Sequence, residues 1–462
     1  MSVRRAMDEV AAQLDAGSST RPAGTFSSIP LPDDFDPTLL LESPRATGVI
    51  ASYERPDHGV TLVGVGEADR VELATGESPV AARDAVRRIL GEPVVGEAQL
   101  LRPRLLGGFR FAPRDHPEAP WTEFGAGRLV LPRILFVRER GQAGAVLAPG
   151  VDVTELQSVL EQLDVRQGSN GAVAKANSGV GTVRPVDVDA WRHSVRVIAD
   201  EIRDGQYEKA VLATSTEVAG DADLSIGAAL GQLRANYPDC HIFSFSANGS
   251  TLIGASPELL VNRAGGRVHA LGLAASQRRG ETVEEDDELS RALLADAKSR
   301  VEHEVVVRSI VEQLEDATTD LQADPEPNVR RFRNIQHLAT EVIGNAAEGI
   351  EVLDLVERLH PTPAVCGRPR EVAREVIARH ERFDRGWYAG PIGWLDGSGD
   401  GEFAVALRTA LVRGPRAWLF AGNGIMADSD PEAELAEVTL KLRPLAEAFG
   451  GLVGSKTSAI PA

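Results

Sequence analysis

The chain has 462 residues, 43% hydrophobic and 25% charged, which is a globular composition with ample core material. A formal net charge of −19 argues against nucleic acid or an anionic membrane as a general partner. The two cysteines, Cys240 and Cys366, make neither a disulfide framework nor a zinc motif, and no apolar run approaches the ~20 residues of a membrane span. A cytoplasmic, monomeric protein acting on a small molecule is expected.

In chain order, Met1 to Ala16 is predicted as a helix, and Gly17 to Pro37, rich in Ser, Pro, Gly and Asp, as a loop. Strand patterns follow at Thr47 to Tyr53, Val60 to Val65, Leu105 to Ala112 and Ala126 to Val137. Helical spacing marks Pro79 to Leu90 and residues 152–164. Gln167 to Pro185 is polar and reads as a linker. Beyond it, Val186 to Asp204 is a helix with Trp191, Val195 and Ile198 on one face, and strands are predicted at Val211 to Val218, His241 to Ser246, Leu252 to Ile253 and Leu259 to Val261.

One long helix is expected from Glu285 to Glu315, with Leu293, Ala297, Val301, Val305 and Ile310 as its buried stripe. Helices at Val352 to Leu359 and Glu371 to Arg382 precede strands at Gly390 to Leu395, Glu402 to Val412 and Ala417 to Ala421. A Gly-x-Gly turn, Gly422 and Gly424, then leads to a helix start at Asp430 and Pro431. On that helix Glu434, Glu437 and Lys441 share a face, which suits either a cation with an anionic substrate or a solvated surface with weak ion pairs. The mixture of strand runs and long helices indicates an α+β class.

Six further side chains are candidates for chemistry, each with a structural alternative. Lys209, at the entry to an apolar strand, is a general base if its surroundings lower its pKa, or an exposed strand-end lysine. Glu258, in Gly254-Ala-Ser-Pro-Glu-Leu-Leu260, is a proton donor in an apolar setting or a turn cap. Glu302 is a hard-cation ligand or the partner of Lys298 one turn away. His337 and His360 are ligands or structural histidines, the latter held by Pro361 and Pro363. Arg408 interrupts an apolar strand and needs either a substrate carboxylate or an ion pair.

Taken together, these stretches resemble the chorismate-utilising enzymes. The resemblance covers about residues 185–450 and rests on Glu208-Lys-Ala-Val-Leu212, Gly254 to Leu260, Leu273-Ala-Ala-Ser-Gln-Arg-Arg-Gly280, Glu302-His303, Gln336-His-Leu338, Leu359 to Gly367, Arg385-Gly-Trp-Tyr-Ala-Gly390 and the stretch from Ala421 to Lys441. Lys209 matches a water-activating lysine where anthranilate synthases carry glutamine, and Ala274 stands where aminodeoxychorismate synthases carry a nucleophilic lysine. The chain therefore looks like an isochorismate synthase. Gly107-Gly-Phe-Arg-Phe111 and Trp121-Thr-Glu-Phe124 are similar to the menaquinone-type members, and Leu40-Leu-Glu-Ser43 is similar to the tryptophan-sensing segment of anthranilate synthase.

The resemblance implies an α+β fold of large packed β-sheets with helices outside. Residues 1–184 would belong to the same compact body as a chorismate-binding catalytic region at 185–455. It implies Mg²⁺ held by Glu302 and Glu437, with Glu434 acting through water. The substrate would be bound by Ala275, Ser276, His337, Tyr388, Leu407, Arg408, Gly422 (as a backbone donor) and Lys441. Lys209 would activate water for attack at C2 of chorismate, and Glu258 would protonate the departing C4 hydroxyl. The alternatives are a salicylate synthase, which goes on to eliminate pyruvate, and a non-catalytic chorismate-binding regulatory protein. The sequence departs from the family pattern at Ala275, where glycine is usual, at Ser299, where an acid is frequent, at Thr214, where an arginine is frequent, and at Cys366, where glycine or serine is common.

Overall fold

The structure is a computed structural model that describes residues 2–15, 24–42, 47–96, 101–114, 117–168, 182–183 and 187–449. Its strands form one continuous hydrogen-bonded network. Pairing is antiparallel except where Phe26–Leu31 runs parallel to Val94–Gly96. The network branches at the strand Gly127–Glu139, which pairs along one side with Val60–Leu73 and on the other with both Arg104–Phe109 and Gln142–Leu147.

Two long arms leave this branch. The first runs from Val60–Leu73 through Val49–Arg55, His241–Ala247, Ser250–Ser256, Thr409–Arg413 and Arg416–Ile425 to Lys209–Ala219. The second runs from Arg104–Phe109 through Pro391–Asp396, Gly401–Val405, Leu259–Ala264 and Arg267–Arg278 to Ile335–Ala346. The strands Val49–Arg55, Val60–Leu73, Gly127–Glu139 and Arg104–Phe109 thus form the middle of the network, and strands from residues 185–455 continue it on both sides. Apolar side chains from both arms and from the inner faces of the helices pack into one large buried cluster. The helices Val188–Arg203, Ile226–Asn236 and Pro431–Ala448 each bury one face.

The chain crosses between the arms at two short segments. Pro257 and Glu258 join Ser250–Ser256 of the first arm to Leu259–Ala264 of the second. Ala406 to Arg408 return it from Gly401–Val405 to Thr409–Arg413. A crossing segment cannot satisfy its backbone in a ladder, so it is where side chains can be presented out of the pleat.

Several sequence expectations are corrected here. The presumed loop 17–37 contains the strand Phe26–Leu31, whose pattern Phe-Ser-Ser-Ile-Pro-Leu is buried on both faces. The linker expected at 167–185 lies mostly outside the described residues. The long helix is two helices, Val283–Ala295 and Ala297–Leu314, broken at Asp296. Asp296 is extended (φ −72°, ψ 117°) and its carboxylate accepts from the Ser299 N–H, so a local cap competes with helix continuation. Of the expected stripe, Leu293, Val305 and Ile310 are buried, but Ala297 and Val301 at the restart are exposed, and His303, Val306 and Leu314 are buried beside it.

The strand expected over Glu402 to Val412 is interrupted by the crossing at Arg408, whose φ is +46°. Gly422 and Gly424 do not form a turn; they lie inside the strand Arg416–Ile425, opposite Ala213 and Val211. The strands Arg267–Arg278 and Ile335–Ala346 carry family motifs but are not among the expected strands; the first is rich in Ala, which is a poor strand former. Their mutual pairing, from Arg267 opposite Asn345 to Arg278 opposite Ile335, fixes them as strands.

Candidate active site

A cavity of about 250 Å³ opens where the far ends of the two arms meet. The first arm supplies Lys209 and Val211 from one strand and Ala421, Gly422 and Gly424 from its neighbour. The second supplies Leu273, Ala274, Ala275, Ser276 and His337. Both crossing segments reach it, through Pro257 with Glu258 and Leu407 with Arg408. The restarted helix adds Glu302, and the last helix adds Glu434, Glu437 and Lys441. Tyr388 completes the wall. Every residue that the family resemblance singled out as catalytic, substrate-binding or metal-binding lines this cavity, whereas His360 does not. Its Nε2 lies 3.0 Å from the Phe111 carbonyl, and burial pushes its pKa down to about 3, so it is a structural histidine.

Lys209 is 1% exposed, which excludes the exposed strand-end alternative. Its Nζ donates to Glu302 Oε1 at 2.8 Å. Gly424 makes this pair possible: a Cβ there would lie 2.6 Å from Lys209 Cε and 2.7 Å from Glu302 Oε1. Burial alone would raise the Glu302 pKa, but the charge and hydrogen bond of Lys209 outweigh it and hold the carboxylate below its ordinary value. Glu302 is therefore committed to Lys209, not to an ion pair with Lys298.

Glu258 has the opposite environment. It is 5% exposed, and burial lifts its pKa to about 8 against the pull of Lys209, Thr362 and Lys441. The cavity therefore joins an amine hydrogen-bonded to a carboxylate with a carboxyl group that is protonated at neutral pH. Such a pairing can remove a proton at one point and deliver one at another.

Arg408 is 5% exposed, with its guanidinium 5.5 Å from the Phe332 ring centre and one Nη 3.9 Å from Cys240 Sγ. Among the described residues no carboxylate lies within ion-pair distance of it. The structural ion pair is thus not found, and an uncommitted buried guanidinium faces the cavity. His337 adds a complementary group. Its Nδ1 lies 3.2 Å from the Ala275 carbonyl and 3.1 Å from Ser276 Oγ, while its Nε2 is buried without a partner. Burial, with Arg408 and Lys441 nearby, holds its pKa well below the ordinary value, so the ring is neutral. A carbonyl only accepts, so Nδ1 carries the proton and Nε2 offers a lone pair.

The helix Pro431–Ala448 starts as the sequence indicates. Asp430 accepts from the N–H groups of Glu432 and Ala433, and Pro431 occupies the first position. Its Glu434, Glu437 and Lys441 face inward instead of forming a solvated surface. Lys441 Nζ sits 2.7 Å from Glu437 Oε1 and donates at 3.1 Å to both the Gly422 carbonyl and Asn423 Oδ1. Glu434 accepts from Ser429 Oγ at 2.7 Å and from Asn423 Nδ2 at 3.2 Å. Burial, then repulsion from Glu437, raises its pKa to about 7.

Glu302, Glu434 and Glu437 line the same cavity from two helices, and a cation there would relieve the repulsion that adds to burial in lifting Glu434. Oxygen donors of this kind fit Mg²⁺, which needs few protein carboxylates and keeps its waters. Among the described residues, no three acidic, histidine or cysteine side chains already stand together as metal ligands.

Sequence reasoning missed several contributors. Asp296 lines the cavity only because the helix breaks there. Ser299, the departure from the family pattern, spends its hydroxyl on Asp296 at 2.6 Å. Asn423, between the two glycines, bridges Glu434 and Lys441, a link that no single helix or strand pattern could announce. Ala364 and Val365 lie in a stretch already singled out but carry no polar signal. Ala275 occupies a bulge between Ala274 and Ser276 at φ +58°, a conformation that favours glycine.

Comparison with known proteins agrees with this geometry. The family model described as "Chorismate binding enzyme" matches residues 13–450. The chain is 34% identical to the isochorismate synthase MenF of Bacillus subtilis over 360 residues, covering 76% of this chain and 75% of that protein. It is 38% identical to a salicylate biosynthesis isochorismate synthase of Pseudomonas aeruginosa over 365 residues, covering 77% and 76%. The solved menaquinone-specific isochorismate synthase MenF of Escherichia coli superposes with a TM-score of 0.77 at 27% identity, over 97% of this chain and 100% of that one. With a cavity of this composition and a match over nearly its whole length, the chain belongs to the chorismate-binding enzyme family.

Proposed function

We propose that the protein is a Mg²⁺-dependent isochorismate synthase. The observation that carries this reading is the opposed pair on one cavity: Lys209, buried and hydrogen-bonded to Glu302, and Glu258, a carboxyl with a pKa lifted to about 8. Once its ammonium has passed a proton to solvent, Lys209 takes a proton from water as the water oxygen bonds to C2 of chorismate. The ring double bonds shift, the C4–O bond breaks, and Glu258 delivers a proton to the departing hydroxyl. One water enters and one leaves, so the net change is an isomerisation. Arg408 has a free guanidinium for a substrate carboxylate, and Ser276, Tyr388, Lys441 and the Gly422 backbone supply further polar contacts. His337 Nε2, a lone pair without a partner, suits a substrate hydroxyl. Ala275 and Leu407 shape the apolar wall.

Glu302 and Glu437 would hold Mg²⁺ directly and Glu434 through water; the bound ion would supply the positive charge that fixes the ring carboxylate. Similarity to isochorismate synthases favours isochorismate over salicylate as the end product. The gathering of Lys209, Glu258, Glu302 and Glu437 in one cavity argues against a purely regulatory role.

Incubating the purified protein with chorismate and Mg²⁺, followed by chromatography, tests the reading. Isochorismate is expected. Salicylate with stoichiometric pyruvate, or chorismate returned unchanged, would overturn it. Lys209→Ala should abolish product, since a lost general base costs about 10²–10⁴-fold in rate.

A further inference from the structure

A second cleft, of about 500 Å³, lies between the segment following Arg104–Phe109 and the helix Arg370–His380 with the turn beyond it. Its acids are already committed. Glu118 pairs with Arg114, Glu381 with Arg385, and Asp384 with the buried Arg110. Two arginines on its wall, Arg374 and Arg382, have no carboxylate within ion-pair distance among the described residues, and Arg374 Nε is buried without a hydrogen-bond partner. The whole chain carries a net charge of −19, so a cleft with two arginines free of carboxylate partners stands out from the chain's overall balance. The rest of its lining is apolar, chiefly Phe111, Pro113, Ile377 and Phe383. Guanidiniums on a cleft wall select a carboxylate, and rings with aliphatic side chains select a flat apolar body. The size is that of a small-ligand site.

The cleft shares a wall with the catalytic cavity. Arg385, which lines the cleft, donates to the carbonyls of Val211 at 2.9 Å and Val365 at 2.8 Å, and both of those residues line the cavity. Its partner Glu381 accepts from the Ala213 N–H at 2.7 Å, on the strand that carries Lys209. A ring stack gives a second connection. Phe383 lies 5.9 Å from Phe420, which lies 5.5 Å from Tyr388 at the cavity.

We propose that this cleft binds a small aromatic carboxylate through Arg374 and Arg382, outside the catalytic cavity, and that its occupancy is transmitted to the Lys209 strand through Arg385 and Glu381. Binding is tested by calorimetric titration of benzoate into the full chain carrying Arg408→Ala. That substitution removes the free cation of the catalytic cavity and strands no partner carboxylate, so the fold should survive, as thermal melting will check.

One saturable site is expected, weakened at least tenfold when Arg374→Ala and Arg382→Ala are added and partly restored by the two lysine substitutions. No binding, or equal binding with and without those arginines, overturns the site. So does saturable binding of inorganic phosphate in place of benzoate. This arm needs no turnover, so it stands or falls separately from the catalytic reading. Transmission is read in the otherwise natural protein: benzoate should change kcat at least twofold, and the change should vanish in the Arg374→Ala/Arg382→Ala variant. Benzoate bound at the cleft with kcat unchanged overturns the transmission.

Discussion

At the scale of single residues, the cavity works by giving two similar groups different surroundings. Glu258 and Glu302 are both carboxylates beside the same lysine, yet their pKa values move apart. Glu302 is directly hydrogen-bonded to Lys209 and is held down; Glu258 is buried without a full ionic partner and is lifted to about 8. The sign of the pH dependence follows. In its proposed role as proton donor Glu258 acts only while protonated, so kcat/KM should fall as pH rises through about 8. Its folded pKa lies above the unfolded value, so its stability contribution is complete below the unfolded carboxyl pKa and is lost as pH rises through about 8. Glu258→Gln should lose roughly 10²-fold or more in rate and should lose less stability than the natural protein between pH 6 and 9. Steady-state rates and thermal melting across that range check both. A rate that stays high in the glutamine variant would remove Glu258 from the proton-donor role.

At the scale of elements, what the sequence disclosed and what it withheld have physical reasons. Asp430, Pro431 and the shared face of Glu434, Glu437 and Lys441 were legible because a cap and a helical face are local patterns, but the inward direction of that face was implied only by the resemblance. Asp296 was hidden because an aspartate inside a helical run reads as surface until its carboxylate is seen to cap Ser299. The strands Arg267–Arg278 and Ile335–Ala346 were hidden because long-range pairing, not propensity, defines them. The Ala275 bulge is similar: the motif placed the residue in the cavity, but only the register shift exposes its left-handed backbone.

The cap at Asp430 gives a direct test of how the last helix supports the site. Asp430→Ala removes the acceptor of two backbone N–H groups and should cost about 1 kcal/mol of stability. Because Glu434 and Glu437 sit on the first two turns, fraying there should also, on the proposed Mg²⁺ site, raise the Mg²⁺ concentration needed for half-maximal rate by several-fold. Denaturant unfolding and a Mg²⁺ titration of activity measure the two effects. Unchanged stability would show that tertiary packing, not the cap, fixes the helix start.

At the scale of the molecule, the two-arm network determines which parts can exist apart. The family motifs fall in residues 185–455, and the resemblance implies that residues 1–184 share one compact body with them. Strand pairing sets the two regions side by side. Val49–Arg55 stands beside His241–Ala247 in the first arm, and Arg104–Phe109 stands beside Pro391–Asp396 in the second. The branch strand Gly127–Glu139 is what joins the arms. Removing residues 1–184 would leave His241–Ala247 and Pro391–Asp396 as exposed edges and uncover the apolar faces that Leu62, Leu106 and Phe136 now seal. The cavity needs both arms in place, since Lys209 comes from the end of one and His337 from the end of the other. We therefore expect a chain beginning at residue 185 to aggregate, and the full chain to unfold in one transition whether followed by far-ultraviolet circular dichroism or by tryptophan fluorescence. Trp121 lies in the N-terminal region and Trp387 in the C-terminal region, and both are buried, so fluorescence reports on both. Two separated transitions, or a soluble and cooperatively folded 185–462 fragment, would show that the arms are stable apart and that the N-terminal strands serve something other than closing the site.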